Sequence, residues 1–397
     1  MKQRLYLDEA AAAPVLKTAW RAFVRAQKAW GNPSAPHAEG ASARTILETA
    51  RTDIARLVGT KSDAILFTSG ATEANALALQ GYIDARLEEG ITPHCMHVLY
   101  LSYAHASVTE TMKYFETKGI RTEAITLSDG AIDLPALRKQ ITTDTVLISL
   151  EAIASETGMS VRTRDVRRML DDIRKEGGTR IVLHVDASQM PYVESIDRMR
   201  LGADLLTLDA QKIGGVRGIG VLVRPPAIPL VSRVYGGGQE QGLRSGTETP
   251  ALAAAFSAAL YEAQKMRDEF VRRAKYMRER LTAYITAEIS NIQVNEGKEN
   301  APHILNISVC GRDTDYLVAL LDVAGYAVST RSACETDVHI GKNQAIGSRS
   351  VFALTKDKTR STTTLRISWG PSTSVGGLMR FAQQLKKDVE FLDQNRS

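Results

Sequence analysis

Asp186 and Lys212 each follow an apolar segment of the chain, and these residue types in such positions indicate cofactor chemistry. Asp186 ends the segment 180–186, and Lys212 comes shortly after the segment 205–208. The carboxyl ends of parallel strands meet at one edge of a sheet, where ligands bind. A lysine amine there can form a Schiff base with pyridoxal phosphate, while a carboxylate keeps the pyridine nitrogen protonated. Because a single lysine at a strand end is usually a solvated surface residue, this interpretation depends on further residues.

Two turns have the composition of phosphate-binding loops. Residues 65–75 predict a buried strand, a small-residue turn containing Ala71 and Thr72, and the start of a helix. The free backbone N–H groups at a helix N-terminus bind anions. A second loop, residues 236–247, is rich in glycine and contains Arg244 and Thr247. Each signal is weak alone, because threonine is a routine helix N-cap and a glycine-rich loop can be a plain linker.

His105 and Arg366 add a titratable and a charged side chain. His105 follows the apolar segment 97–101, where an imidazole can stack on a cofactor ring and transfer protons near neutral pH, although a lone loop histidine is ordinarily structural or solvated. Arg366 interrupts a strand pattern at residues 364–369. A buried arginine needs an anionic partner, which is either a substrate carboxylate or a carboxylate of the protein in a structural ion pair.

The three cysteines have neither the number for a disulfide framework nor the spacing of a metal site. Cys95 and Cys310 adjoin apolar segments and are interpreted as inert core or strand-end thiols. Cys334 lies instead in a polar stretch, followed by a long irregular segment at residues 335–363. Such a segment is either a tolerated surface insertion or a mobile arm that carries the thiol.

Short apolar segments alternate with amphipathic ones between residues 60 and 225. This alternation predicts an α/β fold with a mostly parallel sheet covered by helices on both faces. Strands are predicted at residues 64–68, 97–101, 123–127, 145–150, 180–186, 205–208 and 220–223, with intervening helices that include 72–89 and 161–175. A long helix follows at about 250–288. A smaller region then contains strands at 304–309, 326–329 and 364–369, a helix from residue 314 and a final helix.

The composition excludes several classes of protein. The chain has 397 residues, 44% of them hydrophobic and 24% charged, which is typical of a soluble globular protein of about two domains. Its net charge of +5 is spread along the sequence and does not favour a direct nucleic-acid partner. Neither a signal region at the start nor a stretch of membrane-spanning length is present, so a cytoplasmic location without membrane attachment is expected.

In combination, these residues resemble cysteine desulfurases of the NifS/IscS type, which are class V aminotransferases among the fold-type-I pyridoxal-phosphate enzymes. The resemblance runs nearly end to end, and the order of its motifs is specific although no single motif is. The motifs are Tyr6-Leu7-Asp8, Gly31-Asn32-Pro33-Ser34 with His37, Thr68-Ser69-Gly70-Ala71-Thr72-Glu73, His105, His184-Val185-Asp186-Ala187-Ser188-Gln189, Lys212, Arg244-Ser245-Gly246-Thr247, Ala301-Pro302-His303-Ile304-Leu305-Asn306, Ser332-Ala333-Cys334 and Arg366-Ile367-Ser368.

The resemblance implies a large domain and a small domain. The large domain, residues 15–257, would contain a mostly parallel seven-stranded sheet between helices and would bind the cofactor. The small α+β domain, residues 1–14 and 258–397, would carry the loop with the catalytic cysteine. The active sites of this family are shared across a dimer interface, so a homodimer is implied.

The resemblance also implies a role for each candidate residue. Lys212 would hold pyridoxal phosphate, Asp186 would pair with its pyridine nitrogen, and His105 would stack on its ring. Asn32 and Arg366 would bind the carboxylate of L-cysteine. Cys334 would attack the substrate sulfur, leaving alanine and an enzyme persulfide. The remaining cofactor contacts would come from Ala71, Thr72, Ser155, Gln189, Gln211 and, across the interface, Thr247 of the partner subunit.

Four positions depart from the family pattern. Asp209 and Gln211 replace a serine and a histidine that normally help to bind the phosphate, and Ser155 replaces an amide near the cofactor's phenolic oxygen. The usual glycine before Ser-Ala-Cys is Arg331. An ionised Asp209 would repel a phosphate dianion, so we expect it to point away or to pair with Arg217 or Arg244.

The preferred interpretation is a cysteine desulfurase that supplies persulfide sulfur to a protein acceptor, for iron–sulfur cluster assembly or tRNA thiolation. One alternative is another class V enzyme, such as a selenocysteine lyase or an aminotransferase, which would need Lys212 but not Cys334. A second alternative is a sulfur-relay scaffold with weakened catalysis, which the altered phosphate contacts motivate.

Overall fold

A computed structural model of the protein describes residues 4–330 and 347–395. The strands in this part of the chain are β1 (Leu5–Tyr6), β2 (Ile65–Thr68), β3 (His97–Tyr100), β4 (Arg121–Ala124), β5 (Leu127–Ser128), β6 (Ala131–Ile132), β7 (Thr145–Glu151), β8 (Val182–Asp186), β9 (Leu205–Asp209), β10 (Gly220–Val223), β11 (Ile292–Val294), β12 (Ile304–Val309), β13 (Tyr326–Ala327) and β14 (Thr364–Ser368).

The α-helices alternate with these strands in the first half of the chain and dominate after β10. They are α1 (Lys17–Ala26), α2 (Ala38–Leu57), α3 (Ala71–Glu88), α4 (Ala106–Thr117), α5 (Leu134–Gln140), α6 (Thr163–Lys175), α7 (Arg198–Leu201), α8 (Pro250–Glu288), α9 (Thr314–Val323), α10 (Arg349–Thr355), α11 (Lys358–Thr362) and α12 (Val375–Gln394). Within the described ranges, no helix combines the length and apolar character needed to cross a membrane.

Seven strands form the main sheet, in the order β2-β10-β9-β8-β7-β3-β4. The pairs from β9 through β8, β7 and β3 to β4 are all parallel, whereas β10 runs antiparallel to β2 and β9. Residues of β8 and β9 are buried throughout, as expected for a sheet covered on both faces. The predicted α/β fold with a mostly parallel seven-stranded sheet is confirmed.

A second, antiparallel sheet of order β11-β12-β14 lies in the C-terminal part of the chain. The N-terminal strand β1 pairs with β13, so the first residues of the chain join this C-terminal region. The 39-residue helix α8 connects the two sheets along the chain and packs against α1, α2 and α12. This arrangement accords with the predicted division at residues 14 and 257, which stays a prediction.

Candidate active site

Parallel pairing aligns the ends of three central strands at one edge of the main sheet. Glu151 at the end of β7 pairs in register with Asp186 at the end of β8, and Asp186 pairs with Thr207 of β9. A cavity opens at this edge. It is lined by Ala10, Ala11, Ala71, Thr72, His105, Glu151, Ile153, Ser155, Asp186, Ser188, Gln189, Asp209, Gln211, Lys212 and Arg366.

Asp186 is held in one orientation by three hydrogen bonds. Asn75 Nδ2 on α3 donates to Oδ2 at 2.8 Å, and the backbone N–H and hydroxyl of Ser188 donate to Oδ1 at 3.0 and 2.6 Å. The residue is only 6% exposed. A buried carboxylate fixed in this way can accept a further hydrogen bond from a protonated ring nitrogen in the cavity.

Lys212 enters the cavity from the 3₁₀ turn Ala210–Ile213 that follows β9. This turn ends at Gly214 in the left-handed conformation, with φ of 72°. Its Nζ donates to the carbonyl oxygens of Ala10 and Ala11 at 3.1 and 2.8 Å. The segment after β1 therefore closes one side of the cavity and holds the lysine amine.

His105 caps the N-terminus of α4 with its imidazole. Its Nδ1 accepts from the backbone N–H of Ser107 at 3.1 Å and lies 2.9 Å from the Ser107 hydroxyl. The cap fixes the ring at the cavity wall, where His105 was predicted to stack on a cofactor. A histidine is an unusual N-cap, since serine, threonine, aspartate and asparagine are preferred there.

Glu151 is a second buried carboxyl beside Asp186, and the sequence interpretation gave it no role. It accepts hydrogen bonds from the backbone N–H groups of His105 and Ser155 at 2.9 and 3.1 Å. Burial, with the nearby charge of Asp186, raises the pKa of Glu151 to about 7, although His105 and the two N–H groups act in the opposite direction. The cavity therefore contains a carboxyl that changes charge near neutral pH.

Arg366 forms the structural ion pair that the sequence left open, and its binding of a substrate carboxylate stays a prediction. Its NH2 group donates to Asp8 Oδ1 at 2.7 Å, which is an ion pair within the protein, and its NH1 group donates to the carbonyl of Ser155 at 3.0 Å. Among the described residues, however, its buried Nε has no hydrogen-bond partner. Arg366 also lines the cavity, and a guanidinium there can bind an incoming carboxylate.

The turn before α3 has the geometry expected of a phosphate cradle. Gly70 has φ of 155° and ψ of −179°, a conformation nearly restricted to glycine. A Cβ atom on Gly220 of β10 would approach Gly70 backbone atoms to 2.6 Å, so the two chain segments touch here. This contact places the first N–H groups of α3 against the end of the main sheet.

The orientation expected for Asp209 is wrong, because its carboxylate occupies this cradle. Oδ2 accepts from the backbone N–H of Ala71 at 3.2 Å, and Oδ1 accepts from the backbone N–H of Gln211 at 3.0 Å. Arg244 does not serve as its partner, since it pairs with Glu73 at 2.8 Å. Arg244 is thus already engaged, whereas the free N–H groups at the start of the helix offer the carboxylate a favourable position.

Several predicted residues lie elsewhere or are engaged differently. Asn32 and Thr247 are not among the described residues that line the cavity, and Asn32 Oδ1 accepts from Ser34 N–H in its own turn. Gln189 lines the cavity, but its Nε2 donates to the carbonyl of Ala10 at 2.9 Å. Cys334 and Arg331 lie outside the described residues.

The other two cysteines match their interpretation only in part. Cys310 is half-buried just after β12, as a strand-end thiol would be. Cys95 is exposed, because it ends a 3₁₀ turn on the surface two residues before β3, so it is not a core thiol and lies near a strand end instead.

Asn75 and Glu151 are the main site residues that the sequence interpretation left without a role. A signal existed for both. Glu151 is the single charge at the end of an otherwise uncharged strand, and Asn75 is an amide near the start of a mostly buried helix. Polar residues at such positions need partners in the folded protein, which makes them candidates for a site.

Comparison with known proteins places the chain among enzymes of one family. The class-V aminotransferase family matches residues 5–377. A cysteine desulfurase IscS of Buchnera aphidicola is 33% identical over 347 residues, which cover 84% of this chain and 81% of that protein. Cysteine desulfurase IscS 1 of Archaeoglobus fulgidus is 31% identical over 333 residues, covering 83% and 84%. A solved NifS-like protein superimposes with a TM-score of 0.88 at 25% identity, covering 98% of this chain and all of that one.

Proposed function

The chain belongs to the class-V aminotransferase family, and we propose that it is a pyridoxal-phosphate-dependent cysteine desulfurase that converts L-cysteine to L-alanine. The observation that carries this proposal is the convergence of Lys212, Asp186, His105 and Arg366 on one cavity at the carboxyl edge of the main sheet. The relatives at 31–33% identity are named cysteine desulfurases, which supports cysteine as the substrate.

The donor groups of the cavity fit the ring portion of pyridoxal phosphate. Lys212 offers an amine for the aldehyde, the fixed carboxylate of Asp186 offers an acceptor for the pyridine N–H, and His105 offers a flat face for the ring. Bound cofactor would supply an electron sink for the bonds around the substrate Cα. The phosphate would meet the start of α3 at Ala71 and Thr72, with Gln189, Gln211 and Ser155 around the ring and Thr247 of the partner subunit completing the cradle.

The protein's own groups would bind the substrate and move protons. Arg366, which lines the cavity, would bind the substrate carboxylate through its guanidinium, with Asn32 as a further contact. Lys212 and His105 face the same cavity and would carry protons between substrate atoms. The buried Glu151 carboxyl, with a pKa of about 7, would set the charge beside His105 at the working pH.

Cys334 would accept the sulfur. Its thiolate attacks the substrate sulfur, so that an S–S bond forms while the C–S bond breaks and its electron pair stays on carbon. That carbon takes a proton to become the methyl group of alanine, and Cys334 is left as a persulfide. A homodimer in the cytoplasm would then pass the sulfur to an acceptor protein for iron–sulfur cluster assembly or tRNA thiolation.

The test is an assay of alanine and sulfide in parallel, with pyridoxal phosphate, L-cysteine and a reductant. Wild type should release both in equal amounts, and Cys334→Ala should keep cofactor colour and cysteine binding but lose sulfide. Full sulfide release by Cys334→Ala would contradict the assignment of the sulfur acceptor. Cofactor colour without alanine would favour another class V substrate, and a protein that stays colourless would favour the scaffold.

Lys212→Ala tests the cofactor assignment separately. Loss of the amine should abolish the yellow absorbance that develops with pyridoxal phosphate, because Lys212 is the only amine among the described residues that line the cavity. Lys175→Ala, which removes an exposed lysine on α6, should leave the absorbance unchanged. An unchanged spectrum in Lys212→Ala would rule out the lysine assignment.

A further inference from the structure

Asp209 is an anion built into the place where an anionic ligand would bind. Its carboxylate is 7% exposed and accepts from the backbone N–H of Ala71 at 3.2 Å and of Gln211 at 3.0 Å. The Gln211 side chain lies against the same carboxylate, with Nε2 at 3.5 Å from Oδ2. The first N–H of α3 that faces the cavity is therefore already occupied by a carboxylate.

The donor groups on the turn itself and at this end of α3 are engaged by Glu73. The N–H of Ser69, on the same turn, donates to Glu73 Oε2 at 2.7 Å. Arg244, the cation at this end of α3, donates to Glu73 at 2.8 and 3.4 Å. A phosphate group at the start of α3 would thus compete with Asp209 for Ala71 N–H and would lie beside a negative charge.

The side chains that face Asp209 across the cavity are of mixed charge. Asp186 at the end of β8, Glu151 at the end of β7, His105 at the start of α4, Lys212 after β9 and Arg366 on β14 line the same cavity. Burial raises the pKa of Asp209. The hydrogen bonds from Ala71 and Gln211 and the charge of Lys212 lower it, while the charge of Asp186 raises it, and the net direction is upward.

We propose that the Asp209 carboxyl must take up a proton before a phosphate group can bind at the start of α3, so that cofactor binding is linked to proton uptake. Protonated Asp209 releases Ala71 N–H and can donate its own O–H to a phosphate oxygen. The negative charge of the phosphate then favours the protonated form further. This inference rests on the proposed function, since it concerns the phosphate of its cofactor.

The test compares pyridoxal phosphate with pyridoxal, which lacks the phosphate but shares the aldehyde and the ring. Dissociation constants are measured by absorbance between about pH 7 and pH 9, where the phosphate is a dianion throughout because its second pKa is about 6. The preference for the phosphate form is the dissociation constant of pyridoxal divided by that of pyridoxal phosphate. This ratio cancels the contributions of Lys212 and Asp186, which contact both ligands alike. In wild type, the preference for the phosphate form should fall roughly tenfold per pH unit, as expected for one linked proton.

Asp209→Asn and Asp209→Ser are the matched variants. Asparagine keeps the shape without the charge and offers an N–H to the phosphate, and serine offers a hydroxyl. Both should show a ratio that is nearly independent of pH and higher than the wild-type ratio above pH 8. Calorimetry in two buffers of different ionisation enthalpy should show about one more proton taken up by wild type with pyridoxal phosphate than with pyridoxal.

A wild-type ratio that does not change with pH would overturn the inference, as would an Asp209→Asn ratio that falls as steeply as wild type. Equal proton uptake for the two ligands would also overturn it, and this measurement needs no variant. Failure of the proposed function looks different. If the ratio of dissociation constants depends on pH as expected but the protein releases no alanine or sulfide, the inference about the phosphate stands and the desulfurase activity is refuted. If the protein binds neither pyridoxal phosphate nor pyridoxal, both are refuted.

Discussion

The buried carboxyl of Glu151 makes the free energy of unfolding depend on pH. It lies at the end of a buried strand, in register with Asp186, and its pKa is raised to about 7 mainly by burial. In the unfolded chain the same group has a pKa of 4.5. Its contribution to stability is therefore fully present below pH 4.5 and is lost as the pH rises to 7, because the folded state must then ionise a buried group.

We predict that Glu151→Gln gains stability relative to wild type as the pH rises. A shift of this size corresponds to about 3 kcal/mol, so the stability difference between variant and wild type should increase by about that amount from pH 5 to pH 8. Urea unfolding of the cofactor-free protein at both pH values measures it. Using the change between pH values cancels any pH-independent loss of the hydrogen bonds to His105 and Ser155.

Glu110→Gln is the control, because Glu110 is an exposed glutamate on α4 that pairs with Lys113. It should alter stability by less than about 0.5 kcal/mol at either pH. If Glu151→Gln showed the same difference from wild type at pH 5 and pH 8, Glu151 would be ionised throughout and the raised pKa would be wrong.

At the residue level, sequence reasoning works where one geometric rule applies. Lys212, Asp186 and His105 all follow strand candidates, and parallel strands bring such positions to one edge. Glu151 obeys the same rule, but the apolar pattern predicts that its strand ends at residue 150, one residue before it. The orientation of Asp209 was not predictable for another reason. The sequence shows the charge of its carboxylate, but it does not show that the N–H of Ala71 lies 3.2 Å away.

At the level of elements, a buried ion pair joins α2, β2 and the glycine-rich loop. Arg51 on α2 donates to both oxygens of Glu240 at 2.8 and 2.7 Å and to the carbonyl of Ile65, while Glu240 also accepts from the backbone N–H of Phe67. The Glu240 side chain is 1% exposed. The loop that was predicted to face an anion is therefore anchored to the main sheet by a carboxylate of its own.

We predict that Glu240→Ala destabilises the protein by about 3 kcal/mol, because it removes the buried partner of Arg51 and leaves that guanidinium with only the exposed Glu48 as an ionic partner among the described residues. Asp53→Ala breaks an exposed Arg56–Asp53 pair on the same helix and should cost less than about 1 kcal/mol. Denaturant unfolding compares the two. Replacing both Arg51 and Glu240 by apolar residues should recover most of the loss, and equal costs for the buried and exposed pairs would contradict the prediction.

The elements were predictable where apolar periodicity is strong and connections are regular. The bounds of α8, β10 and β12 agree with the predicted 250–288, 220–223 and 304–309. Helices α1 and α2 were not predicted; α1 has no side-chain cap and α2 begins after His37, so neither has the usual start signal. The antiparallel direction of β10 follows from its short connection to β9, which leaves too few residues for a crossover helix.

At the level of the whole molecule, two of the three buried histidines in the described residues, His184 and His303, and two buried carboxyls oppose each other as the pH changes. His184 lies on β8, and His303 directly precedes β12. Burial lowers the pKa of His184 to about 4 and the pKa of His303 to about 3. These histidines stabilise the folded state above pH 6.5, and that contribution is lost as the pH falls, because the unfolded chain binds their protons first. Glu9, with a pKa raised to about 7 by burial, acts in the same direction as Glu151.

Between pH 6.5 and pH 4.5 the two effects nearly cancel. The unfolded state holds two extra protons on its histidines, and the folded state holds two on its buried glutamates, so these four groups give almost no slope of stability with pH. Below pH 4.5 the glutamates are protonated in both states, and stability falls because the histidines alone remain. Considered alone, these four groups destabilise the fold only below about pH 4.5, which would place its acid limit well below the usual histidine pKa.

The double variant His184→Asn, His303→Asn tests this balance. It should become more stable relative to wild type as the pH falls from 6.5 to 4.5, by about 5 kcal/mol, since each group contributes about 1.4 kcal/mol per pH unit. Unfolding across this range measures the slope, and His94→Asn, at an exposed position, should follow wild type. A double variant with the wild-type slope would mean that the buried histidines are not neutral in the folded protein, and the acid limit would then belong to surface carboxylates.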